Sequence, residues 1–181
     1  MPERRQRRPA RRSRVPGPMR ILFLDVDGTL TDGRITMGDA GEARHFFVRD
    51  GLAMQWARDL GLLPVVISGR ASKGADQRMA DLRIEYYGGV HDKVTVGERV
   101  RAREGVEWKE CAMVGDDLPD VPILKRVGWP IAVADARPEV RRVARTVTAA
   151  PGGRGAVREV VEMLLKHNGA WGRVLERYEA K

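Results

Sequence analysis

Ile21-Leu22-Phe23-Leu24, followed at once by Asp25-Val26-Asp27-Gly28-Thr29, is the stretch that decides how this chain folds. The first four residues form an unbroken apolar run of strand length, as a strand covered on both faces requires. Two carboxylates two positions apart at the end of such a strand are costly in a core, where an isolated charge costs several kcal/mol unless it is paired or metal-bound. In an extended segment Asp25 and Asp27 point to the same side, and Gly28 lets the chain turn sharply away. Ligands of open α/β sheets bind outside the carboxyl ends of the strands. The pair therefore suits phosphoryl transfer: one carboxylate attacks phosphorus, the other trades a proton with the leaving and attacking oxygens, and a hard divalent cation neutralises the crowded charge. The bland reading of the same residues is a strand end with two solvated acids.

Downstream the pattern alternates. Ile35-Thr36-Met37 and Phe46-Phe47-Val48, separated by Gly38-Asp39-Ala40-Gly41, predict a β-hairpin, too short for a domain but placed to act as a flap beside the acidic turn. Its aromatics suggest an oligomer contact. Asp50 is expected to cap a helix over 51–60 with Leu52, Trp56 and Leu60 on its apolar face. Further strands are expected at 63–67, 84–87, 111–114, 131–133 and 146–148. Between them lie helices at 72–82, 92–102, 119–126 and 138–142. A helix carrying Val157, Val160, Val161, Leu164 and Leu165 and a helical segment over 171–178, with Val174 and Leu175 inward, complete the chain. Strand–helix alternation implies an α/β fold, a Rossmann-like, doubly wound parallel sheet covered on both faces. Right-handed crossovers gather its polar strand ends on one edge.

The formal charge of +8 over 181 residues invites a nucleic-acid reading, but its location argues against one. Residues 1–18 hold seven Arg against one acid, a net +6, which leaves 26 basic and 24 acidic side chains in residues 19–181. The body of the protein is nearly neutral. The Arg-rich segment, with Pro2, Pro9 and Pro16 and few apolar residues, cannot bury enough surface to offset its chain entropy, and is expected to be a disordered tail on a domain spanning 19–181. No apolar stretch has the length of a secretory signal core or of a membrane span. Cys111 is the single cysteine, so an internal disulfide is excluded and a reducing compartment is compatible.

Four strand-adjacent sites now stand in chain order: Asp25 with Asp27, Ser68, Lys93, and Asp116 with Asp117 and Asp120. Asp116 ends its own strand and can meet Asp25 in an oxygen-rich Mg²⁺ site. Ser68 can hydrogen-bond a phosphoryl oxygen, and Lys93 supplies a compact positive charge that also offsets the acids. Singly, each has an ordinary reading as a cap or a solvated helix residue. Together and in order they are hard to explain without chemistry.

DVDGTLTDG at 25–33, ISGR at 67–70, Lys93 and GDDLPD at 115–120 resemble the four motifs of the haloacid dehalogenase superfamily of phosphotransferases, in order and spacing across residues 19–166. The hairpin flap in place of a cap domain, VRDG at 48–51, VADA at 133–136 and GGRGAVREV at 152–160 resemble in particular its capless 3-deoxy-D-manno-octulosonate 8-phosphate phosphatases. Thr29 departs from them, since they usually carry Val there, although the superfamily at large has Thr. The resemblance implies Asp25 as nucleophile and metal ligand, Asp27 as general acid/base that also offers its backbone carbonyl to Mg²⁺, and Asp116 as the third ligand. Ser68 and Lys93 would hold the phosphoryl group, with Thr29 and Gly69 at the substrate and Asp117 and Asp120 in support. It further implies a cytoplasmic homotetramer whose GGRGA segments reach toward a neighbour's site. An anionic sugar acid needs further cations, for which Arg70, Arg78 and Arg154 are the candidates. Relatives acting on a nine-carbon acid tend to carry Glu where Arg70 stands, so Arg70 leans toward the eight-carbon substrate. Three rivals stay open: a phosphatase of a nine-carbon sugar acid phosphate, a phospho-accepting receiver-like signalling domain, and a nucleic-acid-binding module working through the arginine tail.

Overall fold

The computed structural model describes residues 17–39 and 41–179. The expected disordered tail falls, over residues 1–16, outside the described residues.

Six parallel strands run in the order β5-β4-β1-β6-β7-β8: β1 (Ile21–Leu24), β4 (Leu63–Ile67), β5 (Glu85–Tyr87), β6 (Cys111–Gly115), β7 (Trp129–Ala132) and β8 (Thr146–Val147). β1 lies at the centre, with Leu24 level with Val66 of β4 and Val114 of β6. This register decides the site. Asp25, Ser68 and Asp116, the residues next in the chain after Leu24, Ile67 and Gly115, emerge side by side on one edge of the sheet.

The helices are α1 (Val48–Asp59), α2 (Lys73–Leu82), α3 (Lys93–Arg103), α4 (Val121–Leu124), α5 (Pro138–Val143), α6 (Ala156–His167) and α7 (Trp171–Glu179). α1 packs against α6 and α2, while α3 packs against α4 and α4 against α5, which covers both faces of the sheet. The core is contiguous, and the largest of its fully buried side chains, Phe23, has its ring 6.2 Å from that of Trp108. Truncating such a residue to Ala costs about 3–5 kcal/mol.

In place of a cap domain, the described residues between 31 and 47 form only the two-stranded hairpin β2 (Thr36–Gly38) and β3 (Gly41–Ala43). The hairpin is as expected but its second strand is not Phe46–Val48. Phe46 packs against the core and Phe47 caps α1, so the residues of highest β propensity belong to the helix entry. β3 forms where Gly41 pairs with Gly38 and takes a φ of +105°.

Two inward assignments are also corrected. Leu52 stands exposed, because α1 begins three residues earlier than expected and turns Asp50, Ala53, Met54 and Ala57 to the core. Leu175 is 42% exposed while Val174 is buried. α7 is anchored instead through Trp171 and Tyr178, whose rings both meet Trp56 edge-on at 5.9 Å.

Candidate active site

After Leu24 the backbone leaves β1 in one wide turn, Val26–Leu30, closed by the Thr31 N–H donating to the Val26 carbonyl at 3.0 Å. Gly28 is obligatory here twice over. Its φ is +88°, and a Cβ on it would lie 2.1 Å from Asp116 Oδ2. The turn is backed from behind by the loop before α6: the Gly153 N–H donates to the Thr29 carbonyl at 2.9 Å, and a Cβ on Gly152 would overlap the Gly28 carbonyl oxygen at 1.7 Å.

The strand ends and α3 bring four side chains together. Asp92 caps α3, accepting from the N–H groups of Val94 and Thr95 at 3.0 and 3.3 Å, and so fixes Lys93 in the first turn. Lys93 is buried and its Nζ donates to Asp25 Oδ1 at 2.5 Å and to Asp120 Oδ1 at 2.6 Å. Asp120 uses its other oxygen to accept the Asp116 N–H at 3.0 Å, so both of its oxygens are engaged. The Thr29 hydroxyl stands 3.5 Å from Asp116 Oδ1. One carboxylate oxygen from each of Asp25, Asp116 and Asp120 lies within 4.8 Å of the others.

Three carboxylates thus face one ammonium. Burial pushes Asp25 up to about 7, reinforced by the charge of Asp120 and opposed by Lys93. Burial likewise pushes Asp116 up to about 8, with Asp25, Asp120 and Asp117 adding repulsion. On Lys93 burial works against the charged form, but Asp25 and Asp120 outweigh it and raise its pKa. This excess of negative charge on hard oxygen atoms fits a divalent cation of the Mg²⁺ kind.

The cleft above them has a volume of about 270 Å³ and is lined by Asp25, Asp27, Gly69, Arg70, Lys93 and Asp116, with Asp117, Pro119 and Asp120 at its side. Ser68 is buried at the end of β4, its hydroxyl accepting the Arg70 N–H at 3.2 Å. Asp117 is exposed and caps the turn at 118–120 by accepting the Leu118 N–H at 2.7 Å. The expected cations separate. Arg70 lines the cleft and pairs with Glu42 of the hairpin at 3.0 Å. Arg78 lies against α1, where a Cβ on Gly51 would come within 2.4 Å of its Nη2, and Arg154 is exposed outside the cleft lining.

One feature was missed from sequence and another was misassigned. Arg44, just after β3, sends a guanidinium that is 1% exposed to within 3.4 Å of Asp27 Oδ1. Asp50 turns inward from α1 and accepts the Arg158 N–H at 2.7 Å, tying α1 to the start of α6. Nothing in the spacing of Arg44 marks it. Asp50 was expected to cap the helix over 51–60, but α1 starts at Val48, so Asp50 lies inside its first turn and its carboxylate serves the start of α6 instead.

A parallel sheet whose adjoining strand ends carry Asp25 and Asp116, met there by Asp120 and by Lys93 of α3 beside a small open cleft, defines a phosphohydrolase of the acid-cluster type. A family model described as haloacid dehalogenase-like hydrolase matches residues 83–159. The 3-deoxy-D-manno-octulosonate 8-phosphate phosphatase KdsC of Escherichia coli K12 is 41% identical over 153 residues, 83% of this chain and 81% of that protein. The KdsC of Yersinia pestis is 39% identical over 149 residues, 81% of this chain and 80% of that protein. The crystal structure of the phosphatase of that name from Moraxella catarrhalis, in complex with magnesium, phosphate and KDO, superposes with a TM-score of 0.85 at 34% identity, covering 88% of this chain and 93% of that one. The cobalt-bound enzyme from Haemophilus influenzae gives 0.81 at 36% identity, covering 84% and 91%. This chain belongs to the haloacid dehalogenase-like hydrolases and, within them, to the capless 3-deoxy-D-manno-octulosonate 8-phosphate phosphatase family.

Proposed function

We propose that this chain removes phosphate from 3-deoxy-D-manno-octulosonate 8-phosphate, through a phosphoryl group carried transiently on Asp25. The observation that carries the reading is Lys93 held between Asp25 and Asp120 with Asp116 beside them: a nucleophile, a phosphate-facing cation and a hard-metal donor set in one cleft. Asp25, Asp116 and the backbone carbonyl of Asp27 would hold Mg²⁺, which when bound neutralises charge on the carboxylates and the phosphoryl oxygens. Asp25 attacks phosphorus in line while Asp27 gives a proton to the departing alkoxide. Asp27 then takes a proton from water, which hydrolyses the acyl phosphate and returns Asp25. Lys93 keeps Asp25 aligned and meets the phosphoryl group with Ser68, and Thr29 and Asp120 steady Asp116. Gly69 lets the backbone approach the substrate, and Asp117 supports the metal side.

Arg70, at the cleft and 56% exposed, is the cation proposed for the sugar carboxylate. Arg78 and Arg154 would serve a site only across a subunit boundary, in the proposed homotetramer. That assembly is supported by Met37 of the hairpin, 74% exposed, and Val48, 75% exposed. Among the described residues no helix is long and apolar enough to cross a membrane, and the proposed place of action is the cytoplasm.

Phosphate release from the eight-carbon sugar acid 8-phosphate, a nine-carbon acid 9-phosphate and simple sugar phosphates, with and without Mg²⁺, tests the proposal. The expected result is Mg²⁺-dependent release with the eight-carbon ester preferred. Release from the nine-carbon ester alone overturns the substrate, and stable phosphorylation of Asp25 without turnover overturns the hydrolase.

A further inference from the structure

Arg44 stands apart from every other buried charge in the described chain. Its side chain is 1% exposed, yet none of its three guanidinium nitrogens makes a well-directed hydrogen bond, and Asp27 Oδ1 is buried without one as well. The two are each other's neighbours: Arg44 Nε lies 3.4 Å from Asp27 Oδ1, and Arg44 Nη2 lies 3.1 Å from Glu42 Oε1. A guanidinium has five donors in a rigid plane, and removing it from water with its donors unmet is unfavourable unless the site uses its charge.

The contact also has a direction. Arg44 comes from the hairpin and Asp27 from the turn after β1, so this side chain links the flap to the acidic turn. Glu42, its partner on the flap, pairs in turn with Arg70 at the cleft. A carboxylate that must give and then recover a proton has to present one oxygen to the reacting atom throughout. Left alone, the χ2 torsion of an Asp is broad and nearly two-fold. Arg44, docked on Oδ1, removes that freedom.

We infer that Arg44 is a positioning residue for Asp27: seated with the flap, it holds one oxygen of the proton-transferring carboxylate and leaves the other for the substrate's leaving oxygen. The inference rests on the proposed role of Asp27 as general acid/base. It predicts that loss of Arg44 harms proton transfer more than phosphoryl transfer to Asp25.

The test compares Arg44→Ala, Arg44→Lys and Asp27→Asn with Mg²⁺, on a sugar or alkyl phosphate, whose leaving group needs a proton, and on p-nitrophenyl phosphate, whose leaving group does not. Thermal melts confirm folding, and Arg44→Gln replaces Arg44→Ala if the latter does not fold. Arg44→Ala should lower kcat on the alkyl ester about 10- to 100-fold, a part of the ~10²- to 10⁴-fold worth of general acid–base catalysis, with KM changed less than about threefold. Its burst of p-nitrophenol, which reports phosphorylation of Asp25, should persist, and Arg44→Lys should recover part of the loss. Equal losses in the single-turnover transfer of phosphate to Asp25 from both esters, or a change confined to KM, overturn the inference and leave Arg44 as a flap anchor. If Asp27→Asn shows no dependence on leaving group in that same transfer step, the assignment of Asp27 fails instead.

Discussion

Lys93 Nζ lies 2.5 Å from Asp25 Oδ1, joining the first turn of α3 to the end of the central strand. The contact is buried on both sides, and the same ammonium is shared with Asp120 at 2.6 Å. One cation therefore orients Asp25 and the acid that braces Asp116.

Replacing Lys93 with Met leaves two buried carboxylates without their cation. Breaking a buried ion pair from one side costs about 3–5 kcal/mol. The expected outcome is a melting temperature lower by roughly 6–20 °C, from about 2–4 °C per kcal/mol for a chain of this size. Phosphatase activity should be lost along with it. Differential scanning calorimetry and phosphate release check both, and a variant as stable and active as the parent contradicts the role given to Lys93.

Asp25→Asn is the converse change. It removes a carboxylate from a cluster in which negative charge is in excess, so the metal-free protein should be at least as stable as the parent while turnover disappears. Retained hydrolysis would exclude Asp25 as the attacking group.

Gly28→Ala puts a methyl group where Asp116 Oδ2 now lies, in a backbone conformation that L residues rarely adopt. Asp116 must move. Mg²⁺ affinity, measured by isothermal titration calorimetry, is expected to fall about 10-fold or more, since displacing a ligand's support commonly costs 10- to 100-fold. Unchanged binding would show that Asp116 is not part of the metal site.

Stability of the metal-free protein should fall as pH rises from about 5 to 8. Asp25, Asp116 and Asp50 are all raised by burial above their ordinary value, to about 7, 8 and 6. The folded state then holds protons that the unfolded chain has released, so each unit of pH within this window favours unfolding. Allowing for mutual coupling, a net loss of roughly 2 kcal/mol corresponds to about 4–8 °C in melting temperature. Excess Mg²⁺, which binds the ionised acids, should flatten the curve. A metal-free melting temperature that climbs through this range is the contrary result.

The sheet and the acid cluster could be read from the chain because both are short-range properties. Ile21–Leu24 and Cys111–Val114 are apolar throughout, and each leads directly into acids, so strand and site are written next to each other. The starts of α2 and α3 were equally legible through Ser72 and Asp92, whose side chains cap them. What escaped depends on tertiary contacts. Phe46–Val48 has the stronger β propensity, yet core packing and the start of α1 take these residues and leave Gly41–Ala43 to pair. Leu52 and Leu175 sit at apolar spacings that the actual helix phase turns outward. Arg44 looks like any charged residue of a hairpin until the fold lays it over Asp27. Arg70 and Arg78 are alike in sequence, and only their neighbours separate them, Glu42 and the cleft for one, Gly51 of α1 for the other.

Gly152 and Gly153 press against the turn at Gly28 and Thr29 although most of the chain separates the two segments. During synthesis Asp25 emerges early, but the backing of its turn arrives only when translation has passed the last strand. The turn that carries the acid pair therefore gains its full packing only after the segment beyond β8 has been made, so its final shape waits on nearly the whole polypeptide.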